Sequence, residues 1–407
     1  MFFTKTALES ALDSAVRDGN YSNAFSPFID PPIDTVKSAK VICKALDNFE
    51  LRTEDDYQHL NLLSQFFNNP TAKNVRDVFY ERGIHLLVKH YEHLVLIEHP
   101  DHALIHQIVA IFANYEHPDT VRRITYAVAS FPNGDAWYPI MDKLLTPENA
   151  LYQSIIFELS SHAPGGDACL AFINALNRLI ENDDLDSHPL NTLAGIEIFK
   201  TLPYNSSKGS VILADTLIHL DLLDEAYLQT LLSDGSFEMK LESARILALR
   251  GDETAIETLT VFCSSYFYAA KAEVYLIAAG QRRAVGETMK NIDFRAKARL
   301  AAYLSSVDQY AAVPDEISIY DSRELFWPPT DSIEEVWLLK YSYEDKDLEG
   351  IGMVGTVTAC LHDEVTVGMD PDSCYALHCC YEMDLLNDPR CPETRTVEAG
   401  KALLNHL

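Results

Sequence analysis

Long apolar runs are missing from this sequence. No stretch of its 407 residues approaches the roughly 18 consecutive apolar residues that a membrane-spanning helix needs. The opening MFFTKTALESALDSAVRDGN carries acids from Glu9 onward and has no continuous apolar segment, so no secretion signal is expected. Three catalytic signatures are also absent: Gly-x-Ser-x-Gly, His-Glu-x-x-His and Gly-x-x-x-x-Gly-Lys-Ser/Thr. The eight cysteines include no Cys-x-x-Cys pair. Without a secretory context they read as reduced thiols of a cytoplasmic protein. Basic residues are scarce, 32 against 61 acidic, which leaves a net charge of −29. That balance repels phosphate backbones and argues against general nucleic-acid binding, while it suits a protein partner with basic patches.

A hydrophobic fraction of 47% is enough to build a large core. The length corresponds to roughly two or three ordinary domains or to one long repeat array. The clearest internal signal favours the array. Glu-His-Pro-Asp begins at Glu98 and again at Glu116, each time opening an apolar pattern of helical period. Leu104, Ile105, Ile108, Ile111 and Phe112 mark the first copy; Val121, Ile124, Ala127 and Val128 mark the second. Prolines 70, 100, 118, 147, 164 and 189 continue the rhythm as helix-opening prolines or turn clusters. Further on, GSFEMKLESARILALRGDETAIETLTVF predicts two helices joined at Arg250-Gly251-Asp252, with Leu241, Ala244, Leu247 and Ala248 on one face.

The segment KLESARILALRGDETAIETL (240–259) resembles a HEAT-like (armadillo-type) repeat, with small residues in the first helix and Arg-Gly-Asp at the turn. Similar versions occur in bacterial HEAT-like proteins, including the phycobilin-lyase type. The likeness is good over one repeat and loose across residues 70–305. It implies a mostly α fold, a right-handed α-solenoid of helical hairpins, and a scaffolding role more than a reaction.

Texture changes near residue 312. Prolines, tryptophans and acids accumulate, and segments 336–343, 352–361 and 364–369 read as short β-branched strands. Asp370 and Pro371 then mark a helix start. The expected division is a helical repeat region over 1–312, with atypical N-terminal helices in 1–66, and a small α+β unit over 313–407.

Four places invite chemistry. Gly350-x-Gly352-x-x-Gly355 has dinucleotide-binding spacing, with Asp370 near the ribose-binding position. The strand-like TVTACL after Gly355 leaves no room for the required helix, so the glycines read as tight turns in a cramped sheet. Cys360, Cys374, Cys379, Cys380 and Cys391 crowd the last 48 residues beside His362 and His378. Their ligand spacing is poor, and they read as packing thiols. Seven histidines fall between His85 and His117, namely 85, 90, 93, 99, 102, 106 and 117. His102 and His106 are one turn apart near Glu98 and Asp101, a pattern able to ligate metal; recurrence of the motif argues for a structural turn instead. No metal, cofactor or catalytic residue is assigned.

Charge asymmetry is the strongest of the four. Residues 271–299 carry seven bases against three acids, inside a chain of −29. Arg282, Arg283, Lys290, Arg295, Lys297 and Arg299 are therefore the candidate partner- or anion-binding residues. The competing account is internal, with the acidic segment 315–349 docking on this stripe. The leading functional expectation is a non-enzymatic scaffold, adaptor or assembly chaperone with an acidic solenoid surface. The alternatives are a lyase-like or chaperone-like role on a chromophore-bearing protein, implied by the resemblance, and an acidic nucleic-acid mimic.

Overall fold

The structure is a computed structural model that describes residue 10 and residues 35–405, apart from 69, 71, 162–164, 203–206, 307–309, 311, 345–346, 387 and 389. Pro164 and half of the expected N-terminal segment 1–66, namely 1–9 and 11–34, lie outside the described residues. The chain divides into two compact units, Met1–Leu223 and Asp224–Leu407. Among the described residues no helix is long and apolar enough to cross a membrane.

The first unit is helical: α1 (Val36–Asn48), α2 (Tyr57–Gln65), α3 (Lys73–Val78), α4 (Ile84–Leu94), α5 (His102–Tyr115), α6 (Val121–Ser130), α7 (Trp137–Leu144), α8 (Tyr152–Ser161), α9 (Gly166–Glu181), α10 (Leu193–Lys200) and α11 (Ser207–Leu217). Helices two apart touch in succession, α5 with α7, α7 with α9 and α9 with α11, while α6 meets α8. Alternation of that kind is what stacked helical hairpins produce, each burying one apolar face against the next. Leu104, Ile105, Ile108, Ile111 and Phe112 of α5 and Ile124, Ala127 and Val128 of α6 are all buried in one core with Trp137 and Phe172. Side chains tie neighbouring hairpins across this core. Tyr115 donates its hydroxyl to the Phe67 carbonyl at 3.0 Å, and Asn149 donates Nδ2 to the Ala113 carbonyl at 3.1 Å.

The two Glu-His-Pro-Asp copies both start helices, but with different caps. In the first, Asp101 is the N-cap and accepts from the Leu104 amide at 3.1 Å. In the second, the cap moves back to His117, whose Nδ1 accepts from the Asp119 amide at 3.2 Å, and Pro118 takes the first position of a 3-10 turn. Glu116 meanwhile closes α5 in the left-handed region at φ 56°. Among the described prolines of this rhythm, Pro118 occupies a first helical position, while Pro70, Pro100, Pro147 and Pro189 lie in the linkers and turns that precede helices.

The second unit begins with α12 (Glu225–Asp234), α13 (Phe237–Leu249), α14 (Glu253–Phe262), α15 (Ala269–Ala278) and α16 (Ile292–Ser306). Consecutive helices pack on one another, and α13 also touches α15. The Arg250-Gly251-Asp252 turn is as the sequence predicts. Gly251 is left-handed at φ 86°, where a side chain would be strained, and Asp252 caps α14 through the Ala255 amide at 2.8 Å. The chain as a whole is mostly α, with tandem helices followed by a small antiparallel sheet.

That sheet is a four-stranded meander in the order β1 (Glu316–Trp327), β2 (Ser332–Tyr343), β3 (Leu348–Val354) and β4 (Thr358–Cys360). One face carries Ile317, Trp337, Leu339, Tyr341, Tyr343 and Val354 onto Ala296, Leu300, Ala301 and Leu304 of α16. The other face carries Trp327, Val336, Leu338, Ile351 and Met353 onto Cys374, Tyr375 and Cys379 of α18 (Pro371–Glu382). Burial on both faces explains why β2 reads as the nearly continuous apolar run VWLL, without polar alternation. After β4 come α17 (Asp363–Thr366), α18 and α19 (Thr394–Leu404).

Two expectations change here. Residues 364–369 are not a strand: Asp363–Thr366 is a helical turn followed by a left-handed Gly368. Acids in its first turn favour the helix dipole, and Thr366 Oγ1 accepts from the Ile351 amide at 3.3 Å, giving that turn a tertiary anchor. The 12-residue β1 was not foreseen, because prolines and acids around it mask a strand exposed along much of its length.

Candidate functional site

The six basic residues sit in the second unit on two elements, the 3-10 turn Arg282–Ala284 and the segment from 287 into α16. Helical spacing places Arg295 and Arg299 one turn apart on α16, opposite the apolar positions that pack on the sheet. Lys290 is held by Glu287 at 2.5 Å, and Lys297 lies over the Tyr266 ring at 5.7 Å. The remaining four, Arg282, Arg283, Arg295 and Arg299, are exposed and make no ion pair among the described residues.

Elsewhere in the chain Arg122 and Arg250 are likewise exposed and make no ion pair among the described residues, so what marks this stripe is that four such arginines fall within residues 282–299. Arginines 52, 82, 123, 178, 245, 323, 390 and 395 each pair with a carboxylate within 4.0 Å. The sheet does meet α16, but through apolar side chains. A polar contact there is Trp337 Nε1 donating to Asp293 Oδ1 at 3.0 Å, an acid of the stripe rather than a base. No ion pair joins 315–349 to 271–299 among the described residues.

The glycine-rich stretch is no cofactor cradle. Gly350 and Gly352 lie within β3, paired antiparallel with Tyr341 and Leu339 of β2, and Gly355 turns the chain into β4. No helix follows the glycines to present its amides to a pyrophosphate. Their role is close approach. A Cβ on Gly352 would stand 2.5 Å from Leu300 Cδ1, and one on Gly350 would stand 2.5 Å from the Tyr341 hydroxyl. That hydroxyl and Tyr310 both donate to Asp363 Oδ1, Tyr310 at 2.7 Å, in a buried knot. Burial above all pushes both phenols well above their ordinary range, with Asp363 adding to the rise in each and the nearby Cys360 thiol contributing most after burial at Tyr341. A cleft of about 210 Å³ lined by Glu316, Ser318, Lys340 and Glu349 opens beside Gly350, below the roughly 300 Å³ at which small-molecule pockets begin.

The C-terminal thiols do not converge. Burial raises Cys374 and Cys379 to about 12, and Cys391 alone among the cysteines is exposed. His378 is wholly buried in α18 with neither ring nitrogen hydrogen-bonded, and desolvation lowers it to about 3. It is a neutral packing residue.

The histidines of the first unit are sorted by the fold. His90 donates Nε2 to the Leu46 carbonyl at 2.7 Å, and His106 packs edge-on against Trp137. His102 packs against Phe131 rather than pairing with His106. The group that does assemble is His85, His117 and Asp119, whose ligand atoms lie within 4.8 Å of one another. Sequence spacing hid it, because 32 residues separate His85 from His117 and only the packing of α4 beside the second Glu-His-Pro-Asp turn joins them. Comparison with protein-family models, with curated proteins and with solved structures finds no match for this chain.

Proposed function

We propose that the protein is a non-enzymatic binding scaffold, an adaptor or assembly chaperone that holds a protein partner by shape and charge. The observation that carries this reading is the clustering of four exposed arginines without an ion pair, Arg282, Arg283, Arg295 and Arg299, on an otherwise acidic chain. Exposed guanidiniums left free of intramolecular carboxylates suit planar, bidentate contact with carboxylates of another molecule. The acidic remainder of the surface would receive the partner's basic patches, so association should be fast and weakened by salt. Tandem helical hairpins supply the extended faces on which such partners dock.

Affinity purification from native extract, at low and at high salt, tests the reading with the parent chain and R282E/R283E/R295E/R299E. The expected result is a stoichiometric protein partner, lost at high salt and lost in the variant, with circular dichroism and melting unchanged. A partner retained in full by the variant, or the absence of any stoichiometric partner, refutes it. Loosening of the sheet in the variant, seen as faster hydrogen exchange over 316–354, would instead favour internal docking of the acidic segment.

A further inference from the structure

We propose that His85, His117 and Asp119 form a binding site for a late first-row divalent transition metal of the zinc class. Two imidazoles and one carboxylate are a recognised zinc-class donor set, and imidazole favours these ions over calcium or magnesium. The three come from two elements. His85 stands in the first turn of α4, and His117 and Asp119 stand in the 3-10 turn that opens the second Glu-His-Pro-Asp helix.

The geometry is close to what a tetrahedral ion requires. Ligand bonds of about 2.0–2.2 Å put neighbouring donors roughly 3.3 Å apart. Asp119 Oδ2 lies 3.5 Å from His85 Nδ1 and 3.9 Å from His117 Nδ1. The side chains of His85 and Asp119 are 53% and 59% exposed, so both are free to rotate: Asp119 by a few tenths of an ångström, and His85 by up to about 1.5 Å to close the 4.8 Å span of the group. His117 is the fixed member. Its side chain is 12% exposed, and its ring is wedged between Tyr80 and His85, each with centroids 4.8 Å away. A metal at His117 Nδ1 displaces the Asp119 amide from that lone pair, so one capping bond is exchanged for three ligand bonds. Three protein ligands leave a fourth position open to water or to a donor from a partner.

The two copies of the motif show why only the second assembles the group. In the first copy Asp101 spends its carboxylate on the Leu104 amide as N-cap. In the second copy His117 takes over capping, which frees the Asp119 carboxylate to face both rings.

The test uses tag-free, full-length protein with Cys391→Ser, which removes the exposed thiol as a competing ligand. Zn²⁺ is titrated calorimetrically and Co²⁺ by its visible ligand-field absorbance. The parent should bind one equivalent, and H85Q and D119N should each bind at least about tenfold more weakly, no less than loss of an outer-shell partner costs. His99→Gln, at the equivalent position of the first copy, should bind as the parent does. Zn²⁺ should raise the melting temperature of the parent but not of H85Q. Equal affinity in parent, H85Q and D119N, an equal loss in H99Q, or no saturable equivalent in the parent overturns the proposal. H85Q and D119N alter exposed side chains, so their circular dichroism before metal addition shows directly that they are folded.

Discussion

Gly352→Ala should destabilise the second unit, and the reason is one contact. The added methyl would stand 2.5 Å from Leu300 Cδ1, 3.1 Å from Leu300 Cδ2 and 2.9 Å from Cys360 Sγ. Carbon atoms rest at about 3.5–4.0 Å, so Leu300 must retreat by about 1 Å. Leu300 is fully buried between α16 and the sheet, where it has no room to do so without displacing Ala296 or Leu304. Overpacking of this kind costs about 1–3 kcal/mol, against which replacing a strand glycine by alanine returns about 0.5–1 kcal/mol. The net expectation is a loss of about 1–2 kcal/mol. Leu300→Ala alone should cost about 2–5 kcal/mol through the cavity it leaves. In the double variant the new methyl enters that cavity, so the two losses should fall short of additivity by about 1 kcal/mol or more. Urea unfolding followed by tryptophan fluorescence measures these energies, and hydrogen exchange over 292–306 and 348–354 localises them. Additive losses within about 0.5 kcal/mol, or a stabilised single Gly352→Ala, would refute the claim that this glycine exists for helix–strand contact.

The first unit should lose stability in acid through His188. Burial lowers His188 from 6.5 to about 4, helped by stacking beside His219, and its Nδ1 accepts from the Leu190 amide at 3.2 Å, which only the neutral ring can do. Because the unfolded chain takes up the proton first, the stabilisation is complete above about pH 6.5 and falls by roughly 3 kcal/mol as pH drops towards 4. His188→Asn keeps an acceptor without a titrating ring, so exchange protection over 188–200 should become flatter with pH; an unchanged slope contradicts the assignment. Thiol titration with an aromatic disulfide should find one fast-reacting cysteine, Cys391, in the native protein and eight after unfolding, because burial raises the other seven. More than one fast thiol would show that the C-terminal layers open in solution.

Much of the helical architecture was legible in one dimension. The apolar spacing of Leu104 to Phe112 needs only the 3.6-residue period to be read, and Arg-Gly-Asp at 250–252 needs only the left-handed preference of glycine. Less legible was whatever depends on a neighbour distant in sequence. VTVG at 365–368 has strand composition, yet it forms a helical turn and left-handed bend because Thr366 is tied to β3. β1 is hidden by its own exposure, since a strand paired along one edge can carry Glu316, Asp321 and Glu324 on positions that composition alone assigns to a loop.

The glycine stretch and the histidine group mark the same division. Local physics fixed that Gly350, Gly352 and Gly355 permit close approach, that His117 begins a helix, and that 271–299 is basic. Only tertiary structure decided what does the approaching. Leu300 and Tyr341 lie against the glycines because a sheet buried on both faces must bring α16 within side-chain contact of its backbone. His85 faces His117 because burying α4 beside the second turn sets the two rings 4.8 Å apart. Arg295 and Arg299 face away from the sheet because α16 meets it through Ala296, Leu300, Ala301 and Leu304, an arrangement made by burial and invisible in the order of charges along the chain.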